Sequence, residues 1–299
     1  MLSTIFTGAA TALITPMNPD RSINWAGFAE NIEFQIQSGI DALVVCGTTG
    51  ESSTMSDDEH LECIRFCVEK TNKRVPVIAG TGSNDTDYSV MLSVGAQKAG
   101  ADALLLVTPY YNKTSQRGLI HHFEKTADNV NIPCILYNVP GRTGVKIEPS
   151  TYKALSEHKN IAAIKEASGD LSIAAKAACL CQGKLDIYSG NDDQILPIMS
   201  LGGKGVISVM SNIIPRETHD IAKACLDGDY VTARKLMFKV LDFANILFAD
   251  VNPIPVKDAM NMLNLPGMNA GEMRLPLVST DEAIKAKIRA SLVQVGLLK

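Results

Sequence analysis

Ala103-Leu-Leu-Leu-Val107 is a run of five apolar residues with no polar residue at alternate places. A strand with one face in water alternates, whereas a strand covered on both faces does not, and strands of the second kind belong to parallel sheets. Short β-rich runs, several of them equally unbroken, recur at 8–15, 42–46, 76–80, 134–138, 161–165, 185–189 and 205–209, and with 103–108 they make eight. Between them lie longer stretches with apolar residues every three or four places, such as Phe28, Ile32 and Ile36. That spacing predicts helices covered on one side. Start signals agree, since Ser56-Asp-Asp-Glu59 has the form of a capping box and Thr86 or Asp87 is placed to cap the next helix.

Eight alternating units predict an α/β chain folded as a (β/α)8 TIM barrel, a fold that takes about 250 residues. The competing architecture, an open doubly wound sheet, would place a glycine-rich phosphate turn after the first strand. Here that place reads Thr15-Pro-Met-Asn-Pro19, and neither GxGxxG nor GxxxxGK[ST] occurs in the chain. Alternation stops after residue 228, and 230–248, 255–263 and 280–298 read as helices. The expected organisation is a barrel over 1–228 followed by a carboxy-terminal helical subdomain over 229–299.

The 299 residues are 46% hydrophobic and 20% charged, with a net charge of −4, a composition that buries a large core. A mild acidic excess without a Lys/Arg cluster argues against nucleic acid or an anionic membrane as partner. No stretch reaches the roughly 18 to 20 apolar residues that span a bilayer. The start, Met1-Leu-Ser-Thr-Ile-Phe-Thr-Gly8, shows no basic leader, and a cytoplasmic protein is expected. Seven scattered cysteines fit that setting as reduced thiols. The pairs Cys63/Cys67 and Cys179/Cys181 are nothing like the two CxxC pairs of a zinc site, so no metal is expected.

In a barrel the chemistry lies at the carboxyl ends of the strands, and there one residue stands out. Lys165 ends the apolar run Ile161-Ala-Ala-Ile164, whereas Lys70, Lys98, Lys125, Lys176 and Lys235 sit in helix-like stretches of mixed polarity. It is either the ion-pair partner of Glu166 or Asp192, or a Schiff-base lysine. An ordinary amine is neutral in only about one molecule in 2,500 at pH 7, so a nucleophilic lysine needs desolvation or a cationic neighbour, and an apolar strand supplies the first. Attack on a 2-oxo acid gives a carbinolamine whose collapse needs a proton relay. Tyr137 is the nearest suitable hydroxyl, with Thr48 or Thr49 and a tyrosine of Tyr110-Tyr111 as further members.

Adjacent threonines between glycines, Gly47-Thr-Thr-Gly50, offer hydroxyl and N–H donors to a carboxylate, and Arg142 after a Pro-Gly turn suits a second one. Asp192 and Asp193 read as acids in a first helical turn. His60, His121, His122, His158 and His219 do not converge on strand ends, which disfavours metal-dependent aldol chemistry and a histidine triad.

At these residues the chain resembles the dihydrodipicolinate synthase branch of the pyruvate-dependent class I aldolases, a superfamily that also holds N-acetylneuraminate lyase. Gly47-Thr-Thr-Gly-Glu-Ser52, Ile78-Ala-Gly-Thr-Gly82, Thr108-Pro-Tyr-Tyr-Asn112, Leu136-Tyr-Asn-Val-Pro140, Ile164-Lys-Glu-Ala167, Gly205-Val-Ile-Ser208 and Asn252-Pro-Ile-Pro-Val-Lys257 carry the likeness. It implies a lysine–pyruvate imine at Lys165 with no cofactor, and a relay of Tyr137, Thr48 and Tyr111. Thr49 would bind the pyruvate carboxylate, and the backbones of Gly190 and Ile207 would line the pocket. Tyr111 would reach into a neighbouring subunit, which implies at least a tight dimer, and since most members of the family are dimers of dimers a homotetramer is expected.

The resemblance further implies that Arg142, in the intact Gly141-Arg-Thr-Gly144, meets the carboxylate of L-aspartate 4-semialdehyde on the route to diaminopimelate and lysine. The sialic acid lyases resemble this region but lack that arginine. The alternative is a lyase of N-acetylneuraminate or another 2-oxo-3-deoxy sugar acid. A feedback site for lysine would use Ser52, His60, Asn84 and Tyr110. Asp57 and Tyr88 stand where inhibited members often carry His and Glu, so weak or absent sensitivity to lysine is expected.

Overall fold

The computed structural model describes residues 3–299; Met1 and Leu2, which open the amino-terminal stretch read above, lie outside the described residues. The strands are β1 (Gly8–Ala12), β2 (Ala42–Val45), β3 (Val77–Gly80), β4 (Ala103–Val107), β5 (Cys134–Asn138), β6 (Ile161–Glu166), β7 (Asp186–Ser189) and β8 (Gly205–Ser208). Each pairs in parallel with the next, and β8 closes on β1 through Gly8↔Gly205 to Thr11↔Ser208. The (β/α)8 TIM barrel is therefore the fold, and the open sheet is excluded.

Around the strands run α1 (Trp25–Gln37), α2 (Asp57–Thr71), α3 (Thr86–Lys98), α4 (Gln116–Asp128), the short α5 (Pro140–Thr143), α6 (Pro149–Leu155), α7 (Leu171–Cys181), α8 (Ile195–Ser200) and α9 (Pro215–Leu226). Three more follow, α10 (Tyr230–Ile246), α11 (Ile254–Leu263) and α12 (Glu282–Gln294), with α10 packed on α9. Among the described residues no helix is long and apolar enough to cross a membrane.

Because strand side chains alternate between faces, two cores result. The inner one fills the barrel with Ala10, Ala42, Val44, Ile78, Ala103, Leu105, Ile135 and Ala163. At its amino-terminal end Phe6 stacks on Tyr188 at 4.3 Å, and the Tyr188 hydroxyl donates to the Phe6 carbonyl at 2.8 Å. The outer core, including Leu104, Leu106, Leu136 and Ile164, packs strands against helices. The double coverage explains why β4 reads as one apolar run.

Several boundaries differ from the sequence reading, and three of the differences have a plain physical cause. β1 stops at Ala12 rather than Thr15 because Asn212 intervenes: its Nδ2 donates to the Ala12 carbonyl at 2.8 Å and its Oδ1 accepts from Ile14 N–H at 3.0 Å. The cap of α3 is Asp85, whose carboxylate accepts from Tyr88 N–H at 2.9 Å, not Thr86 or Asp87. β6 runs one residue past Lys165, since Glu166 still pairs with Ser189. The capping box at Ser56 and Glu59 is present in both directions.

Candidate active site

Register puts Tyr137 of β5 directly beside Lys165 of β6. Lys165 is two places beyond Ala163 and shares its inward face. The lysine is only 6% exposed, and its Nζ lies 4.2 Å from the centroid of the Tyr137 ring, a cation–π distance. Glu166 faces away. Its carboxylate accepts from Asn138 Nδ2 at 3.1 Å, the Tyr152 hydroxyl at 3.0 Å and Ser168 N–H at 2.8 Å.

The ion-pair alternative for Lys165 therefore loses Glu166. Asp192 acts on the amine at a distance, and its reading as a helix-start acid holds without being the whole of its role. A turn does begin there, but the residue is 2% exposed, and its Oδ2 accepts from Val209 N–H at 3.1 Å and Met210 N–H at 2.9 Å, fastening the end of β8.

These surroundings set the protonation states. Burial lowers the Lys165 amine to about 7; the Asp192 carboxylate pulls it back up, and the Arg142 charge pushes it further down. An amine of that pKa is about half neutral at pH 7. Burial also raises the Tyr137 phenol, against the lowering effects of Arg142 and of a hydrogen bond to Thr48. Gly190 lies against the lysine: a Cβ there would meet Lys165 Cε at 3.2 Å and Ala167 Cβ at 2.6 Å. Ile207 is fully buried in the inner core.

Thr48, Tyr137 and Arg142 line one cavity of about 340 Å³. Lys165 is not in its wall, but the Tyr137 ring that stands beside the amine is. Thr48 and Thr49 form a 3-10 turn after β2. Thr49 is buried, and its Oγ1 accepts from Asn252 Nδ2 at 3.0 Å. The expected Pro-Gly turn before Arg142 is helix α5, and Arg142 Nη2 donates to the Asn252 carbonyl at 3.1 Å. A phenol, the Thr48 hydroxyl and a guanidinium thus share one cavity, with the buried amine against the phenol ring and the Thr49 hydroxyl, itself outside the lining, tied to the same asparagine as Arg142; the set suits imine chemistry on a substrate that carries carboxylates.

Comparison with known proteins agrees with this geometry. The profile of the Dihydrodipicolinate synthetase family matches residues 5–295. The chain belongs to the dihydrodipicolinate synthetase family. A 4-hydroxy-tetrahydrodipicolinate synthase of Clostridium acetobutylicum is 53% identical over 295 residues, 99% of this chain and 99% of its own. The crystal structure of dihydrodipicolinate synthase from Aquifex aeolicus, 42% identical, superposes with a TM-score of 0.94 over 98% of this chain and 99% of that one. That of the chloride-inhibited dihydrodipicolinate synthase from Acinetobacter baumannii complexed with pyruvate is 40% identical, with a TM-score of 0.95 over 99% and 100%.

Within this family member the remaining residues divide. Tyr111 is 91% exposed with φ 70°, and in the single chain it does not join the cavity, whereas Tyr110 lines it. Ser52, His60 and Tyr88 line the same cavity, and Asn84 does not. His60 is committed to the Gly80 carbonyl at 2.8 Å, and burial lowers its pKa. Tyr88 donates to Asp57 at 2.7 Å, so the two departing residues satisfy each other; desolvation, with Asp57 adding to it, pushes the phenol up to about 12. Asn252 received no role from sequence reasoning beyond its motif. Its signal was its place directly before Pro253 in a segment that carried the family likeness although no strand end lies near it in sequence.

Proposed function

We propose that the chain works as a 4-hydroxy-tetrahydrodipicolinate synthase and joins pyruvate to L-aspartate 4-semialdehyde through an imine on Lys165. The observation that carries the reading is a lysine 6% exposed at a strand end, lowered to about 7 and set against the Tyr137 ring. The neutral Nζ attacks C2 of pyruvate, its proton passes to the carbinolamine oxygen, and water leaves as the imine forms. The cationic nitrogen acidifies C3, the Tyr137 relay takes the C3 proton, the resulting enamine attacks the aldehyde carbon, and the relay returns a proton to the aldehyde oxygen. No cofactor is required, because the protonated imine is itself the electron sink.

Tyr137 stays protonated at neutral pH, so it can pass a proton on only as it receives one, which is the work of a relay rather than of a free base. The Thr48 side chain, near enough to lower that phenol, supports the role, with Tyr111 of a second copy as the third member. Thr49 is the holder of the pyruvate carboxylate, Gly190 and Ile207 line its pocket, and Arg142 awaits the carboxylate of the semialdehyde. The pyruvate complex of the Acinetobacter baumannii relative supports the first substrate.

Residues 229–299 act as a subdomain that completes the site. Asn252 supports this through its contacts with Thr49 and Arg142, as does the buried pair of Lys257 with Glu51. A homotetramer and a cytoplasmic setting complete the proposal, supported by the outward Tyr111 and by seven free cysteines, six of them buried. Borohydride reduction in the presence of pyruvate, followed by peptide mass spectrometry, tests the core of it. One pyruvyl adduct on Lys165 is expected, and an adduct elsewhere or none at all refutes the mechanism.

A further inference from the structure

Asn252 lies between α10 and α11, 203 residues from Thr49 and 110 from Arg142, yet it touches both. Its side-chain Nδ2 donates to Thr49 Oγ1 at 3.0 Å, while its main-chain carbonyl accepts from Arg142 Nη2 at 3.1 Å. The residue is 6% exposed, and its Oδ1 is buried without a protein partner. A buried orphan acceptor destabilises the fold, and buried side-chain polar atoms are seldom left without a partner. Here one end is left over and the other is aimed at the hydroxyl of a carboxylate holder.

A threonine hydroxyl has one proton and two lone pairs. When an amide N–H occupies a lone pair, the proton is left for an incoming acceptor, and a carboxylate is such an acceptor. The segment that presents Asn252 is tied to the same loop a second time. Lys257 at the start of α11 is fully buried and pairs with Glu51, two residues after Thr49, at 2.6 Å. The separation of amide and hydroxyl is therefore held from both ends.

We propose that Asn252 is a positioning residue with two separate duties: its side chain orients the Thr49 hydroxyl as donor to the 2-oxo acid carboxylate, and its main chain steadies Arg142 for the second substrate. This rests on the reading of Thr49 and Arg142 given above. Because a substitution alters the side chain and spares the carbonyl, the two duties separate experimentally. Asn252→Asp replaces the donor by an acceptor of the same shape, which captures the Thr49 proton and turns it away from pyruvate.

The test is steady-state kinetics with both substrates, together with borohydride trapping across a pyruvate titration without the semialdehyde. Asn252→Asp is expected to raise the KM for pyruvate and the trapping midpoint by about ten- to a hundredfold, the worth of a hydrogen bond to a charged group. The KM for the semialdehyde should stay within about threefold. Equal shifts for both substrates, or no shift for pyruvate, overturn the proposal. Should the Asp variant not fold, a cycle of Asn252→Ala with Thr49→Val decides: Asn252→Ala must raise the pyruvate KM in the wild-type background and add nothing in the Thr49→Val one. Failure of trapping in the unaltered enzyme would instead count against the function itself, so the two failures are distinguishable.

Discussion

A lysine held at about 7 from an ordinary value of 10.5 is an amine that the fold keeps partly uncharged at the expense of stability. Between pH 7 and 10.5 the unfolded chain binds a proton at this site that the native chain does not, so stability rises with pH across that window. Below pH 7 both states are protonated and the full burial penalty applies. Lys165→Met removes the penalty and should stabilise the inactive protein by about 2 to 5 kcal/mol at pH 6, with the gain shrinking towards pH 10. Urea midpoints at the two pH values check this, and a Met variant no more stable than its parent at pH 6 would show that the amine is not desolvated. On the proposed mechanism the same protonation sets the rate, so kcat/KM for pyruvate should fall about tenfold per pH unit below 7. At the rim of the mouth, Tyr88 spends its hydroxyl on Asp57 at 2.7 Å. A phenol pushed up to about 12 offers no negative charge to an effector's ammonium group. Lysine should therefore inhibit weakly or not at all in a steady-state assay, and micromolar inhibition would refute that expectation.

At the scale of elements, the loop after β2 and helix α11 are joined by a pair that water does not reach, Glu51 with Lys257 at 2.6 Å, both side chains fully buried. Lys257 also donates to the Thr15 carbonyl at 3.2 Å, and Glu51 accepts from Arg274 N–H at 2.9 Å. Breaking one half strands the other charge, so Lys257→Met should destabilise by about 3 to 5 kcal/mol, while Glu51→Gln with Lys257→Met should recover much of the loss. Thermal unfolding of the single and double variants tests this; a double variant no better than the single one would exclude the stranded charge as the cause. This pair also marks where sequence reading ends. The eight strands were legible because short β-rich runs alternate with helix-period ones, several of them, such as β4, written by double coverage as unbroken apolar runs, and the placement of Lys165, Tyr137 and Arg142 because strand ends in a barrel gather at one end. The stop of β1 at Ala12 was not legible, since a side chain 200 residues away, Asn212, takes over its ladder. Asp192 and Asn252 escaped for the same reason: their roles are set by partners, Val209 and Met210 in one case and Thr49 and Arg142 in the other, that no local spacing announces.

For the molecule as a whole, Tyr111 is the residue that does not fit a solitary chain. It is 91% exposed and sits at φ 70°, a left-handed conformation that a tyrosine adopts at some cost, beside a neighbour, Tyr110, that turns into the cavity. Aromatic rings of this kind are concentrated at interfaces, and in a two-fold dimer any contact is reciprocal, so each Tyr111 would enter the other copy's site. Two impaired variants then distinguish a shared site from a private one. Lys165→Ala removes the nucleophile and Tyr111→Phe removes the relay hydroxyl. In a mixed dimer, the chain that keeps Lys165 receives an intact Tyr111 from its partner. Random pairing makes half of the dimers mixed, each with one intact site of two, so co-expression should restore about a quarter of the wild-type activity. If Tyr111 served its own chain, the mixed dimer would contain no complete site, and activity would stay at the level of the two variants alone. Purifying the mixed species through two different affinity tags and measuring its turnover decides between these outcomes.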